Sequence, residues 1–469
     1  MKVEKSRENV KDIAVVICNY NKKDYVKKNI YSLERQSTDN FDVYVVDNAS
    51  TDGSAEEIIR EFGDKVCVIR NTFNLGGSGG FNTGIRKVMM RNYLYVVLLD
   101  NDVELKENCM ETLYLDMKAN PDIGMMGAKI LKMDYPDTIQ EFAPSINYDT
   151  MTFELNHGGE KDDGELPHLE DCDYVPACAL IVQREVIEKI GYMPEENFIY
   201  YDDITWGVKC HQAGYRVVAN SHAAVWHKGG ASVNPTTFGS YYLNRNKFRF
   251  FMTYLSTENR ELISDLQIRE HTERILLDVF EGIYSCQRDG RYNMMKTRMD
   301  AFLDALEGVS GKAKEYKIRK REIPEEKFEL LIKEKKRILI YINGYWENIR
   351  RILFHIYIKE QEWGKKYQVE LVDCTVNDDR QILGIHVYSK PEKNEKEYDL
   401  IFHVCKHIYE LKINSVDHIW IDGWRNVISD QDDFESYQLF FPMYRMFKLC
   451  FEDRVEECIK KIMKGEEHV

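Results

Sequence analysis

Two pairs of carboxylates carry the sharpest chemistry in this chain: Asp100 and Asp102 in LLDNDVE, and Asp202 and Asp203 in FIYYDDITWG. Two carboxylates on one turn after an apolar run can hold a hard divalent cation through oxygen. Acidic-x-acidic triplets arise about a dozen times by chance in a chain this acidic, so position rather than composition singles out Asp100 and Asp102. Asp202 and Asp203 stand between Tyr201 and Trp206, where like charges repel and cannot both face a core. An isolated Asp-Asp is more often a solvated turn. Beside a ligand, one carboxylate of such a pair can take a proton from an attacking hydroxyl.

RNTFNLGGSGGFNTG, residues 70 to 84, holds five glycines and leads into a helical stretch. Glycines let a backbone approach a ligand closely, and exposed amides at a helix start suit phosphate. The spacing is neither a P-loop nor GxGxxG, which weakens kinase and dehydrogenase readings. In VVDNASTDGS, Asp47 closes an apolar run and could accept a hydrogen bond from a base N–H; capping the helix after Ser50–Asp52 is its plainer role. His227, in AVWHKGG, is one of twelve histidines, and on its own reads as a satisfied strand-end residue.

These residues need elements to position them. IAVVIC (13 to 18), VYVV (43 to 46), VCVI (66 to 69) and LYVVLL (94 to 99) are strand-like runs, each ending in polar punctuation, with helical stretches between. That alternation predicts a parallel sheet with crossover helices, whose ligands bind at the carboxyl edge where the polar insertions fall. DYVPACALIVQ (173 to 183) and GYRVVANSHAAVWH (214 to 227) read as further strands, with REVIEKIG helical between them. From about Phe238 the pattern turns helical, KAKEYKIRKREIPEEK (312 to 327) reads as a linker, and RILIYI, VELVD, DLIFHV and HIWID predict a second, smaller α/β domain.

The bulk numbers bound the class. With 469 residues, two or three domains are expected. Hydrophobic content of 43% and charged content of 30% describe a soluble globular protein. A net charge of −15 argues against broad nucleic-acid binding, which needs a basic face. Eleven cysteines without a repeated CxxC spacing suggest reduced thiols and neither a disulfide framework nor a zinc site. The first dozen residues lack the apolar stretch of a signal peptide, and no run approaches a bilayer span. The expectation is a cytoplasmic protein, with RNKFRFFMTY (245 to 254) offering cations and aromatics for peripheral contact with an anionic membrane.

Taken together, NYNKKDYV, VVDNASTDGS, NLGGSGGFNTG and LLDNDVE resemble the nucleotide-sugar half of family 2 glycosyltransferases with the GT-A fold, and YYDDITWGVKCHQAGYRV with AVWHKGG resembles the acceptor half. The resemblance covers residues from about 12 to 255, and the form of the glycine, aromatic-DD and WH segments is most like galactofuranosyltransferases and bacterial rhamnosyltransferases. It implies a GT-A catalytic domain over 1–237; the residue pattern beyond, which the resemblance does not reach after 330, predicts a helical extension and linker over 238–330 and a small α/β domain over 331–469. It further implies that Tyr20 and Asp47 contact the nucleotide, that Asn74, Gly76, Gly77, Gly80 and Asn101 line the donor, and that Asp100, Asp102 and His227 bind Mn2+ or Mg2+. Asp203 falls on the general base of an inverting transfer, Asp202 on an acceptor-contacting or base-orienting residue, and Tyr201 and Trp206 on sugar-stacking positions. The implied partners are a nucleotide-diphosphate sugar, of the UDP-galactofuranose or dTDP-rhamnose type, and a glycan or lipid-linked acceptor; a homo-oligomer is compatible with the sequence.

Other readings fit less well. A nucleotidyltransferase calls for a glycine-rich loop directly after the first strand, and NYNKKDYV has none. A glycosidase needs two carboxylates about 5 to 9 Å apart across the sugar, which adjacent aspartates do not offer. A non-catalytic donor-binding or scaffold subunit remains the main alternative, set against the intact DND, DD and WH segments. HVCKHIYELK and GYWEN in the terminal domain read as core and surface, with a second ligand site as the other possibility.

Overall fold

The computed structural model describes residues 11–229, 235–254, 264–322, 326–375, 380–413 and 416–465. The N-terminal decapeptide and Gly230 of AVWHKGG lie outside the described residues.

The chain opens as β1 (Ile13–Asn19), α1 (Lys23–Glu34), β2 (Phe41–Asp47), α2 (Ser54–Phe62), β3 (Val66–Arg70), α3 (Gly76–Met89) and β4 (Tyr95–Asp100). These are the four apolar runs and three helical stretches expected. β1 pairs in parallel with both β2 and β4, and β2 with β3. Side chains alternate across this sheet, so two packed layers form. Ile13, Val15, Ile17, Val43, Val45, Val97 and Leu99 face α1 and α2, while Ala14, Val16, Tyr44, Val46, Val96 and Leu98 face α3. Burial of both faces explains why the runs are continuously apolar instead of alternating.

The chain continues through β5 (Val103–Leu105), α4 (Cys109–Ala119), β6 (Ile123–Lys132), β7 (Tyr135–Glu141), the small pair β8 (Ser145–Asn147) and β9 (Thr152–Glu154), and β10 (Leu169–Asp171). It closes with β11 (Ala179–Gln183), α5 (Arg184–Ile190), α6 (Asp202–Gln212), β12 (Arg216–His227) and α7 (Phe238–Thr253). The main sheet runs β10-β12-β6-β11-β4-β1-β2-β3, with β5 on β12 and β7 on β6. Of the expected strand at 173–183, only Ala179–Gln183 joins the ladder; Pro176 has no N–H to give a neighbour, so pairing starts after it.

Two compact units emerge among the described residues. The first takes the chain up to Ile275, Lys296–Arg321 and the residues from Arg454 onward; the second takes Leu276–Met295 and Glu322–Asp453. The helices α8 (Asp265–Arg288) and α9 (Tyr292–Leu306) follow α7. In the first unit the charged run after α9 is tied down: Lys317 bridges Asp304, Arg319 bridges Asp300, and Thr237 exchanges hydrogen bonds with Arg319.

The second unit holds α10 (Lys327–Lys333), β13 (Arg337–Tyr341), α11 (Trp346–Trp363), β14 (Gln368–Val372), β15 (Arg380–Ile382), β16 (Ile385–Tyr388), β17 (Leu400–Val404), β18 (Ile419–Ile421), β19 (Val427–Ile428) and α12 (Gln431–Gln438). The last helix, α13, runs Phe440–Met463. The sheet order is β15-β16-β14-β13-β17-β18-β19, parallel except for β15 and β19 at its ends. This is the expected smaller α/β body. Among the described residues no helix is long and apolar enough to cross a membrane.

Candidate active site

The carboxyl edge of the first sheet gathers the predicted residues. Asp100 ends β4, Asp47 ends β2, and Asn19 ends β1. Asn29 on α1 donates to the Asp100 carbonyl at 2.7 Å, and Asn101 donates to Asn19 at 3.2 Å, which fixes the turn that carries both aspartates. That turn leads into β5, whose pairing with β12 sets Val103 opposite His227. The Lys228 N–H also donates to the Asp102 carbonyl at 3.1 Å. Register alone therefore brings His227 to the aspartates.

Ligand atoms of Asp100, Asp102 and His227 all lie within 4.8 Å of one another. Nε2 of His227 is 3.3 Å from Asp102 and 4.0 Å from Asp100, and Lys22 Nζ is 3.8 Å from Asp102. Oxygen and imidazole donors at this spacing fit Mn2+ or Mg2+, and a buried Asp102 beside Asp100 is a concentration of negative charge that a cation would relieve. The side-chain Nε2 of Gln140 on β7 stands 2.9 Å from Nδ1 of His227. Turning that amide over puts its oxygen there to accept Nδ1–H, the orientation that leaves the ring's Nε2 free to ligate.

Electrostatics follow the packing. Burial pushes the Asp100 carboxyl up to about 6, with the charges of Asp102 and Asp203 adding to it and His227 opposing; the 42% of its side chain left open tempers the effect without reversing its sign. Asp102 is held below the usual range: burial raises it, but the hydrogen bond and charge of His227 and the charge of Lys22 outweigh burial. His227 is raised for the reciprocal reason, its burial being overcome by the two aspartates.

Asp202 and Asp203 open α6, so both sit where a helix N-terminus favours negative charge. They point different ways. Asp203 accepts from the Ala177 N–H at 3.2 Å and from Ile204 N–H at 2.8 Å, whereas Asp202 lies toward Gly77. Burial raises the proton affinity of both, in Asp202 reinforced by the charge of Asp203. Glu141, next to Gln140, belongs to the same group: burial and the charge of Asp203 push it up to about 7. Sequence reasoning missed Gln140 and Glu141 because β7 carries no apolar alternation to mark it as a strand.

Asp47 is 5% exposed, and its Oδ1 has no hydrogen-bond partner. A buried acceptor left open in this way suits a ligand N–H. Tyr20, which follows the Asn19 that stands opposite Asp47 in the β1–β2 register, is 44% exposed. Asn74 and the glycine segment are organised by Asn48, which donates to Asn74 at 3.1 Å and to the Gly76 carbonyl at 2.8 Å and accepts from Leu75 N–H at 3.1 Å.

Four expectations are corrected. Trp206 is not an open platform: it is fully buried in the layer with α3, and its Nε1 donates to the Gly191 carbonyl at 2.9 Å. Tyr201 is also buried, edge-on to Phe153. The glycine-rich segment is the first turns of α3 and no loop, and a Cβ on Gly80 would fall 2.2 Å from Cys18 Sγ, so Gly80 serves helix-on-sheet packing. The lipid-facing reading of α7 fails for the same kind of reason, since Arg245, Phe248, Phe250 and Phe251 are buried. In the second unit GYWEN and the segment after β17 do meet, but through internal bonds: Asn343 donates to the Val404 carbonyl and Asn348 to those of Cys405 and Lys406.

Comparison with known proteins matches residues 14–191 to the family described as Glycosyl transferase family 2. A galactofuranosyltransferase of Mycolicibacterium smegmatis is 25% identical over 35% of this chain and 28% of its own length. A low-salt glycan biosynthesis hexosyltransferase of Haloferax volcanii is 23% identical over 56% of this chain and 79% of its own length. The chain thus spans little more than a quarter of the first of these relatives. Among solved structures, GalNAc-T7 with UDP, GalNAc and Mn2+ has a TM-score of 0.44 at 14% identity, covering 57% of this chain and 51% of that one. The family match, on a mixed α/β sheet of this order, agrees with the GT-A fold class.

Proposed function

We propose that this chain, which carries a family 2 glycosyl transferase domain, moves a sugar from a nucleoside-diphosphate donor to a hydroxyl of a glycan or lipid-linked acceptor, inverting the anomeric carbon. The observation that carries the reading is the meeting of Asp100, Asp102 and His227 at the strand edge, close enough to Asp203 for its charge to act on Asp100. Asp47 would receive the base, and Tyr20 would flank it from the rim. Asp100, Asp102 and His227 would hold Mn2+ or Mg2+, which offsets charge building on the departing diphosphate. Asp203 would accept the acceptor proton as its oxygen attacks, burial having raised its proton affinity against the opposing backbone hydrogen bonds. Asp202, turned toward Gly77, would orient the reacting groups. The relatives' names favour a galactofuranosyl or other hexosyl donor.

The test is a panel of nucleoside-diphosphate sugars, UDP-galactofuranose and dTDP-rhamnose among them, with Mn2+ or Mg2+ and candidate acceptors. Acceptor-dependent nucleoside diphosphate release, and a product of inverted configuration by NMR, support the reading. Release from no donor, or retained configuration, overturns it.

A further inference from the structure

The carboxylate pair is reached through an unusual stretch of backbone. Phe198, Tyr200 and Tyr201 all have φ of 66°, in the left-handed region that bulky L residues avoid, and Asp202 follows directly. Such a conformation persists only where the surroundings impose it. On one side stands Gly76, also left-handed, so close that a Cβ there would fall 1.9 Å from the Phe198 carbonyl oxygen. On the other side stand two consecutive residues of α7.

Arg245 is completely buried, and its guanidinium spends its donors on backbone and an amide: Nη2 on the carbonyls of Glu196 and Asn197 at 3.2 and 2.9 Å, Nη1 on Gly311 at 2.8 Å, and Nε on Asn246 Oδ1 at 3.0 Å. The rings of Tyr241 and Tyr242 lie 5.4 and 5.1 Å from it and shelter the charge. Asn246, its amide oriented by Arg245, donates from Nδ2 to the carbonyls of Asn197, Ile199 and Tyr200 at 2.9, 2.8 and 3.0 Å. A buried cation and an amide thus satisfy the carbonyls that a left-handed run turns away from any helix or strand partner.

We infer that Arg245 and Asn246 are positioning residues for the Asp202–Asp203 pair: they hold residues 196–201 against Gly76 in the one backbone path that starts α6 with both carboxylates in the site. The catalytic consequence rests on the proposed transfer reading. Displacement of a general base by about 1 Å is enough to cost roughly 100-fold in rate. A residue that only supported the fold would change the amount of native protein and not the turnover of each native site.

The test uses the full chain with Asn246→Asp, which keeps the shape but turns the amide nitrogen that serves three carbonyls into a repelling acceptor, and Asn246→Ser as the milder variant should the first not fold. Hydrogen exchange of residues 198–206 is compared with wild type, together with turnover per nucleotide-binding site, sites being counted by calorimetry with nucleoside diphosphate and Mn2+. Exchange at least ~10-fold faster there, with turnover per site ~10–100-fold lower and nucleotide affinity within ~2-fold, is expected. Unchanged exchange in a folded variant, or turnover per site equal to wild type, overturns the inference. Exchange needs no turnover, so it decides the clamp even where the wild type uses no donor, a result that would count against the transferase reading instead.

Discussion

Oδ1 of Asp102 stands 3.3 Å from Nε2 of His227, a contact made by the β5–β12 register and braced from behind by Gln140. A carboxylate and an imidazole so held are either an ion pair or two ligands of one cation, and the two states respond differently to substitution.

Asp102→Asn exchanges a charged oxygen for a weak neutral ligand, and Mn2+ affinity should fall more than 10-fold, taking nucleoside diphosphate affinity with it. Gln140→Ala leaves all three ligand residues and removes only the bond that orients the ring, so Mn2+ affinity should drop by roughly 10–100-fold. Titration calorimetry with and without Mn2+ reads both; equal Mn2+ affinity in the Gln140 variant would mean the ring needs no brace.

Asp203→Asn keeps the shape at the start of α6 and removes a proton acceptor. Transfer should fall by roughly 10²–10⁴-fold while donor binding persists. Asp202→Asn should cost less, mainly through KM. The reverse ranking would exchange the roles of the two aspartates.

His271 is 2% exposed and donates from Nε2 to the Phe251 carbonyl at 2.7 Å. Burial pushes its pKa down to about 4, the Phe251 bond opposing and Arg274 adding to the fall. The unfolded chain therefore binds a proton here between pH 6.5 and 4 that the folded chain refuses. Its contribution to stability is complete above 6.5 and is lost as pH falls through that window, by about 1.4 kcal/mol per pH unit. Urea unfolding of wild type and His271→Asn at several pH values isolates this slope, which should flatten in the variant.

Trp206→Phe tests whether the buried indole serves packing alone. Loss of the indole and of its bond to Gly191 should lower stability by about 1–3 kcal/mol and leave acceptor KM unchanged. A raised KM at unaltered stability would restore a contact with substrate.

Much of the first sheet was legible because β1, β2 and β4 are buried on both faces and each ends in a polar residue at the same edge; apolar runs closed by Asp47 and Asp100 announce both strand and candidate site. Direction was not legible. Spacing places Tyr201 and Trp206 beside the aspartates but cannot say that α6 begins at Asp202, which turns Trp206 inward. Glycine content likewise does not distinguish a ligand loop from a helix that must lie close to Cys18 and Val16. Gln140 and Glu141 sit on β7, whose first residues, Tyr135, Pro136 and Asp137, are exposed, and Arg245 looks like a surface cation until its carbonyl partners are seen. In each case the missing information is which non-local groups meet, and that is decided by strand register and helix phase.

The first unit is assembled from pieces far apart in the order of synthesis. Its sheet is translated early, yet Val455 and Ile459, both wholly buried, belong to the stretch from Arg454 onward that follows the entire second unit. On the ribosome the site-bearing half must therefore wait, with the apolar surface those two residues cover still wet, until the second unit has emerged.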